Sequence, residues 1–192
     1  GAHRDLHSFP TRRSSDLTGQ VVNPQALSPH WMALAQDLRS SAYRQALSAL
    51  TGLDLSVAPM EVNLFHYGPG ANLGPHPDLA DKVVTHILYF NDSWNPARGG
   101  CLQILGSRDP DSVFEQIPPV VGNSAVLVRS DTSWHAVSRV VDDSPVSRRS
   151  ITVTFYRPGS TSSMWPEGDD TPLHDYSPHR QGVTHGGAGW YA

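Results

Sequence analysis

The chain has 192 residues, a mass of 20.9 kDa and a formal net charge of −4, with 38% hydrophobic and 17% charged residues. That is the size and composition of one globular domain with a substantial core. No apolar run approaches the ~20 residues of a membrane span, and no basic stripe offers a phosphate-backbone surface, so neither a membrane nor a nucleic acid is expected as partner. Cys101 is the single cysteine, which excludes an intramolecular disulfide and a cysteine-based zinc site. A metal would have to be held by carboxylates and by histidine, of which there are 10.

Residues 1–17 stand apart. They have no apolar stretch of the secretory kind and carry Arg4, Arg12 and Arg13; a cytoplasmic location is expected. His3 to Leu17 reads HRDLHSFPTRRSSDL, which resembles one translated frame of a common sequencing adaptor. The segment is expected to be adaptor-derived, or else a disordered basic tail. An origin in an assembled environmental gene follows, and the excess of arginine over the lone Lys82 points to a GC-rich bacterial genome.

From Pro29 to Leu50, Trp31, Leu34, Leu38, Ala42, Ala46 and Leu50 recur at helical spacing, with Gln36, Arg39, Arg44 and Gln45 between them. The pattern predicts one amphipathic helix, N-capped by Ser28, opened by Pro29, ended at Thr51-Gly52 and packed against a sheet. After Leu55 the texture changes to short β-type runs: Val57–Tyr67, Val83–Phe90, Cys101–Leu105, Ser124–Arg129, His135–Val141 and Ser150–Arg157. Turn clusters such as Gly68-Pro69-Gly70, Arg98-Gly99-Gly100 and Val121-Gly122-Asn123 separate them. Many short strands behind a flanking helix predict a mainly β sandwich or jelly roll. Gly159 to Ala192 is rich in Gly, Ser, Pro, Asp and His and reads as an irregular tail that Met164, Trp165, Trp190 and Tyr191 could pin to the body.

The chemistry is concentrated in Gly74-Pro75-His76-Pro77-Asp78. Side chains two apart on an extended strand point the same way, so His76 and Asp78 can address one ion, and Ser133-Trp134-His135 offers a remote third ligand. Two histidines and one carboxylate on one face of an octahedron form the facial triad of non-haem iron oxygenases. His-x-Asp alone is a weak signal; the last strand adds weight. Arg148, Ser150, Thr152, Thr154 and Tyr156 alternate with Arg149, Ile151, Val153 and Phe155. The apolar set can pack on the helix, which turns the polar set into the barrel. An arginine there is costly unless it binds an anion. Arg148 shares the polar face with Ser150 and is preferred to Arg149, unless a bulge reverses the choice. Tyr89, Ile87, Thr85 and Val83 share one face of their strand by the same period.

At this point the chain resembles the Fe(II)/2-oxoglutarate-dependent dioxygenases of the prolyl 4-hydroxylase-like superfamily, from about Met60 to Pro158. The resemblance rests on Tyr67-Gly68-Pro69-Gly70 before His76-x-Asp78, on Thr85 to Asn91 followed by Trp94, on Gly99-Gly100-Cys101-Leu102, on His135-Ala136-Val137, and on Arg148 to Val153. It implies a double-stranded β-helix over an oxygenase domain at 18–158. It implies that His76, Asp78 and His135 bind iron, that Arg148 and Ser150 grip the distal carboxylate of 2-oxoglutarate with Tyr89, and that Tyr67 and Thr152 line the pocket. Fe(II), 2-oxoglutarate and dioxygen would be required, with ascorbate as a candidate reductant. The acidic Asp78 favours hydroxylation or another oxidation over halogenation. An amino-acid-like, prolyl or peptide substrate would be hydroxylated with release of succinate and carbon dioxide, although a small natural product is an alternative.

Two other classes compete: a silent metal-binding jelly roll acting as sensor or scaffold, and a cupin-like isomerase or hydrolase. Retention of all four of His76, Asp78, His135 and Arg148 disfavours both. His66 and His86 read as packed or hydrogen-bonded histidines, His174, His179 and His185 as solvated loop residues, and Cys101 as a small buried hydrophobe. Asp142-Asp143 reads as a charged turn. Oligomeric state is not legible.

Overall fold

The computed structural model describes residues 28–161 and the backbone of Trp190–Tyr191. The N-terminal segment and Met164, Trp165, His174, His179 and His185 lie outside the described residues. Where one helix is expected there are two, α1 (Pro29–Arg39) and α2 (Ser41–Thr51). Ser40 divides them in extended conformation. Its N–H and Oγ both donate to the Asp37 carbonyl, at 3.0 and 2.7 Å, and the same Oγ caps Tyr43 N at 3.1 Å. A serine that bonds the local backbone competes with helix continuation, and the break resets the helical phase. Leu38 is buried as the stripe predicts, and Ala35, outside the stripe, is buried beside it, but Ala42, Ala46 and Leu50 are exposed. The face of α2 turned inward is Tyr43, Arg44 and Leu47. Arg44, expected on the polar side, is buried and donates to the carbonyls of Leu55 and Ala58 at 2.7 and 2.8 Å. Ser28 caps α1 with Pro29 behind it, and Gly52 ends α2 in the left-handed region.

Among the described residues nine strands follow: β1 (Met60–Tyr67), β2 (Leu73–His76), β3 (Lys82–Tyr89), β4 (Leu102–Leu105), β5 (Val113–Ile117), β6 (Ser124–Val128), β7 (His135–Val137), β8 (Arg148–Tyr156) and β9 (Trp190–Tyr191). They form a five-stranded sheet, β6-β3-β8-β1-β9, and a four-stranded sheet, β2-β7-β4-β5. All pairs are antiparallel except β1 with β9. The expected jelly roll is therefore present, with the helices on the outside of the larger sheet. The tail is not wholly irregular, because β9 adds an edge strand beside Val62 and Asn63. Two strands were not legible as runs. β2 contains Gly74-Pro75, which breaks both propensity and the ladder, and β5 alternates poorly, with Phe114 70% exposed.

Period two sorts the larger sheet. Met60, Val62, Val84, Ile151, Val153 and Phe155 pack with Ala35, Leu38 and Leu47 of the helices into the main core. Full burial of such side chains is worth roughly 1.5–3 kcal/mol each. The opposite face meets the smaller sheet, where Ile87 and Tyr89 pack on Leu102, and Tyr67 on Val137. One member of the expected β3 face departs: the register shifts between Lys82 and Val84, and Val83 packs on the helix-side core. A bulge of this kind leaves one residue without an opposite partner and breaks the alternation.

The Gly99-Gly100 turn ties the smaller sheet to the segment that leads into β8. Gly99 sits at φ 70°, and a Cβ there would lie 1.8 Å from the Arg139 carbonyl oxygen. Neither the backbone conformation nor the close approach tolerates a side chain. We expect Gly99→Ala to lower stability by roughly 3 kcal/mol or more, measured as the midpoint shift in urea; an unchanged midpoint would refute this packing.

Candidate metal and anion site

His76 is the last residue of β2 and His135 the first of β7, and the ladder sets them directly opposite each other. Their rings lie 4.3 Å apart between centroids. Asp78 falls two residues beyond the strand end rather than on it, yet its side chain turns to the same point. Each of His76, Asp78 and His135 offers a ligand atom within 4.8 Å of the others, so the structure brings the expected trio together.

The surroundings orient these atoms. Nδ1 of His76 is 2.8 Å from the Gly74 carbonyl, and Nδ1 of His135 is 2.9 Å from that of Ser133. A carbonyl can only accept, so both Nδ1 atoms carry the proton, and each Nε2 keeps a free lone pair. Burial, then the neighbouring His135, pushes the His76 pKa down to about 4, so the ring is neutral near pH 7. Burial works against ionisation of Asp78. Lys82 and His135, with the hydrogen bond from Thr85, outweigh it and hold the carboxyl below its ordinary range. Lys82 Nζ reaches Oδ1 at 2.9 Å and Thr85 Oγ1 donates to Oδ2 at 2.9 Å. Lys82 and Thr85 were not singled out as partners of Asp78; their places four and seven residues after it on the next strand are the signal that could have shown it. Two imidazoles and one carboxylate suit a divalent iron and leave coordination positions open.

Arg148 lies deeper. It is 2% exposed, whereas Arg149 is exposed. Its guanidinium lies 5.0 Å from the ring centre of Tyr67 and 5.3 Å from that of Tyr89. One nitrogen donates to Ser150 Oγ at 2.7 Å. Among the described residues neither Nε nor the Tyr89 hydroxyl has a hydrogen-bond partner. Burial pushes the Tyr89 hydroxyl pKa up, so it stays a neutral donor. Among the described residues no carboxylate forms an ion pair with Arg148. A buried fork of donors beside an unsatisfied phenol is a place for a carboxylate. Thr152, two residues beyond Ser150 on the same face, is half-buried and pairs with Ile87 and Asn63.

The remaining sequence candidates are structural. His86 bonds the Tyr43 hydroxyl at 2.8 Å, and His66 bonds Ser147 Oγ. Cys101 is buried and free. Trp94 donates to the Gly99 carbonyl at 2.8 Å. Asp142 forms an ion pair with Arg139 in the charged turn.

Residues 62–156 match the model of the 2OG-Fe(II) oxygenase superfamily. Among solved structures, a prolyl 4-hydroxylase of Pseudomonas putida is similar at 27% identity and TM-score 0.52, over 68% of this chain and 68% of that one. An oxidoreductase of the 2OG-Fe(II) oxygenase family from Burkholderia pseudomallei gives 16% and 0.49, over 71% of this chain and 59% of that one. A prolyl hydroxylase of Trichoplax adhaerens, solved with a hypoxia inducible factor peptide, gives 21% and 0.44, over 63% and 56%. No curated protein matches the chain. The jelly roll, the grouped His-Asp-His donors and the family match agree: the chain carries a 2OG-Fe(II) oxygenase domain of the prolyl 4-hydroxylase-like type and is a 2-oxoglutarate-dependent dioxygenase.

Proposed function

We propose that the protein hydroxylates an amino-acid-like, prolyl or peptide substrate, coupled to conversion of 2-oxoglutarate to succinate and carbon dioxide. The observation that carries the reading is the buried Arg148, which has no carboxylate partner among the described residues and shares a barrel with the His-Asp-His donor set. His76, Asp78 and His135 would hold Fe(II), which when bound supplies the site for dioxygen activation. Arg148 would clamp the distal carboxylate of 2-oxoglutarate. Ser150 keeps one edge of the guanidinium occupied, and Tyr89 presents its protonated hydroxyl to the same anion. Tyr67 covers the guanidinium face and Thr152 lines the chamber. The protein's contribution is then geometric and electrostatic: oriented ligands, a pre-formed anion clamp and a buried reaction space. A silent scaffold would not require a buried anion clamp beside the donor set.

Two outcomes test the assignment. Arg148→Ala should raise KM for 2-oxoglutarate by roughly tenfold to a hundredfold, the range for losing a charged hydrogen-bonded pair. Arg148→Lys should recover only part of this, because an ammonium lacks the planar fork. Succinate release measured against 2-oxoglutarate concentration reads both, and an unaltered KM in Arg148→Ala would remove the clamp from the account. Thr85→Val is nearly isosteric and deletes the donor to Asp78 Oδ2. It should weaken Fe(II) or Co(II) binding by about 10–100-fold in an anaerobic titration; equal affinity would show that Thr85 does not orient the ligand.

A further inference from the structure

The strand registers set the inner residues of the two sheets in rows. Across the larger sheet Phe65, Ser150 and Tyr89 stand opposite one another, and the next row on the same face is Asn63, Thr152 and Ile87. Across the smaller sheet the corresponding rows are Leu73, Val137 and Leu102, then His76, His135 and Ile104. Core contacts fix how the rows meet. Phe65 and Leu73 pack on the cluster that holds Val137, and Tyr89 clusters with Leu102. One step further along both sheets, the row of Asn63 therefore faces the row of the two histidines. The step after that brings Thr85 to Asp78.

Asn63 is a buried polar residue of this wall with no task in the account so far. Val62 and Leu64 on either side of it join the helix-side core, so its side chain points inward. It is 4% exposed, and among the described residues its Oδ1 has no hydrogen-bond partner. A buried amide oxygen without a partner is costly, and with no bond to fix its orientation either end of the amide can turn to a ligand. Thr152, directly opposite Asn63, is half-buried, whereas Ser150 and Thr154 before and after it on the same face are buried. The less covered position marks where the interior opens, beside Asn63.

The spacing from the anion clamp identifies the ligand. The Arg148 guanidinium donates to Ser150 Oγ, and Tyr89 lies opposite that serine. Two residues along a strand advance about 7 Å, from the clamp row to the row of Asn63. A five-carbon 2-oxo dicarboxylate anchored by its distal carboxylate is long enough to take that step, so its 2-oxo acid end arrives between Asn63 and the histidines. That end is anionic and carries only acceptors, and the Asn63 amide N–H groups are donors beside it.

We propose that Asn63 is a further cosubstrate-binding residue, donating through Nδ2 to the carboxylate at the 2-oxo acid end of 2-oxoglutarate from the wall opposite His76 and His135. This rests on the oxygenase reading and deepens it: protein donors hold the cosubstrate at both ends, Arg148 at one and Asn63 at the other.

The test is anaerobic and uses the full chain as wild type, Asn63→Leu and Asn63→Asp. Fe(II) affinity is measured first, then 2-oxoglutarate affinity from the visible charge-transfer band. Asn63→Leu should leave the Fe(II) dissociation constant within about twofold and raise that for 2-oxoglutarate about tenfold. Asn63→Asp, of nearly the same size, should raise it further, because it sets a carboxylate against a carboxylate. Loss of the donor should also move the band of Asn63→Leu to shorter wavelength, since a hydrogen bond to the oxo acid lowers the orbital that accepts the charge. A band that stays in place, or Fe(II) affinity that falls as far as 2-oxoglutarate affinity, is the outcome of a merely structural role and would overturn the proposal. Unchanged 2-oxoglutarate affinity in Asn63→Leu, as for an amide that faces the substrate, would overturn it and leave the oxygenase reading standing. Should Asn63→Leu not fold, Asn63→Ser, which withdraws the donor from reach, is read by the same criteria. No 2-oxoglutarate binding by a folded, Fe(II)-loaded wild type would overturn the oxygenase reading, and the role of Asn63 with it.

Discussion

A guanidinium sealed inside a β barrel is the constraint around which this structure is arranged. Arg148 is almost fully buried at the first position of β8, and its guanidinium donates to a serine hydroxyl two residues on. Removing such a charge from water costs several kcal/mol unless an opposite charge meets it. The rings of Tyr67 and Tyr89 and the hydroxyl of Ser150 soften that cost without cancelling it. The proposed function meets this buried cation with the carboxylate of the cosubstrate. The alternation of β8 makes this compatible with a stable protein. From Ser150 to Thr154 each polar residue is followed by an apolar one on the opposite face, and Ile151, Val153 and Phe155 join the helix-side core.

The same strand logic builds the metal-ligand set from residues far apart in sequence. Pairing of β2 with β7 sets His76 against His135, and β3 supplies Thr85 and Lys82 to fix the carboxylate of Asp78. Two backbone carbonyls settle the histidine tautomers. Asp78 and Ser133 lie outside the strands, each two residues from a strand end. The donors stand on or immediately beside strand ends, and the anion clamp stands on the longest strand of the larger sheet. That rigidity is what an oxygenase needs if cosubstrate and substrate are to meet at one point.

Much of this was legible in the sequence, for reasons that differ by element. The β8 alternation is strict, so the inward direction of Arg148 and the exposure of Arg149 followed from period two. His76 and Asp78 were legible as a pair because two-residue spacing survives the end of β2. The helix break at Ser40 was not legible from the apolar stripe, since Ala42, Ala46 and Leu50 continue the spacing across it; a local serine bond decides the matter. β2 was hidden by Gly74-Pro75, and β5 by its weak alternation. The bulge that removes Val83 from its expected face is a property of strand pairing. That Lys82 and Thr85 hold Asp78 depends on how its side chain turns beyond the end of β2, which the four- and seven-residue spacing alone does not settle.

The most direct measurement of the central claim is an anaerobic titration. Fe(II) and then 2-oxoglutarate are added to the purified protein, and the weak visible charge-transfer band of the chelate is followed in the wild type, His135→Ala and Arg148→Ala. The account predicts a saturable band in the wild type, its loss in His135→Ala, and a requirement for much higher 2-oxoglutarate in Arg148→Ala. A folded wild type that shows no band, or an Arg148→Ala protein that binds 2-oxoglutarate as tightly as the wild type, would contradict it.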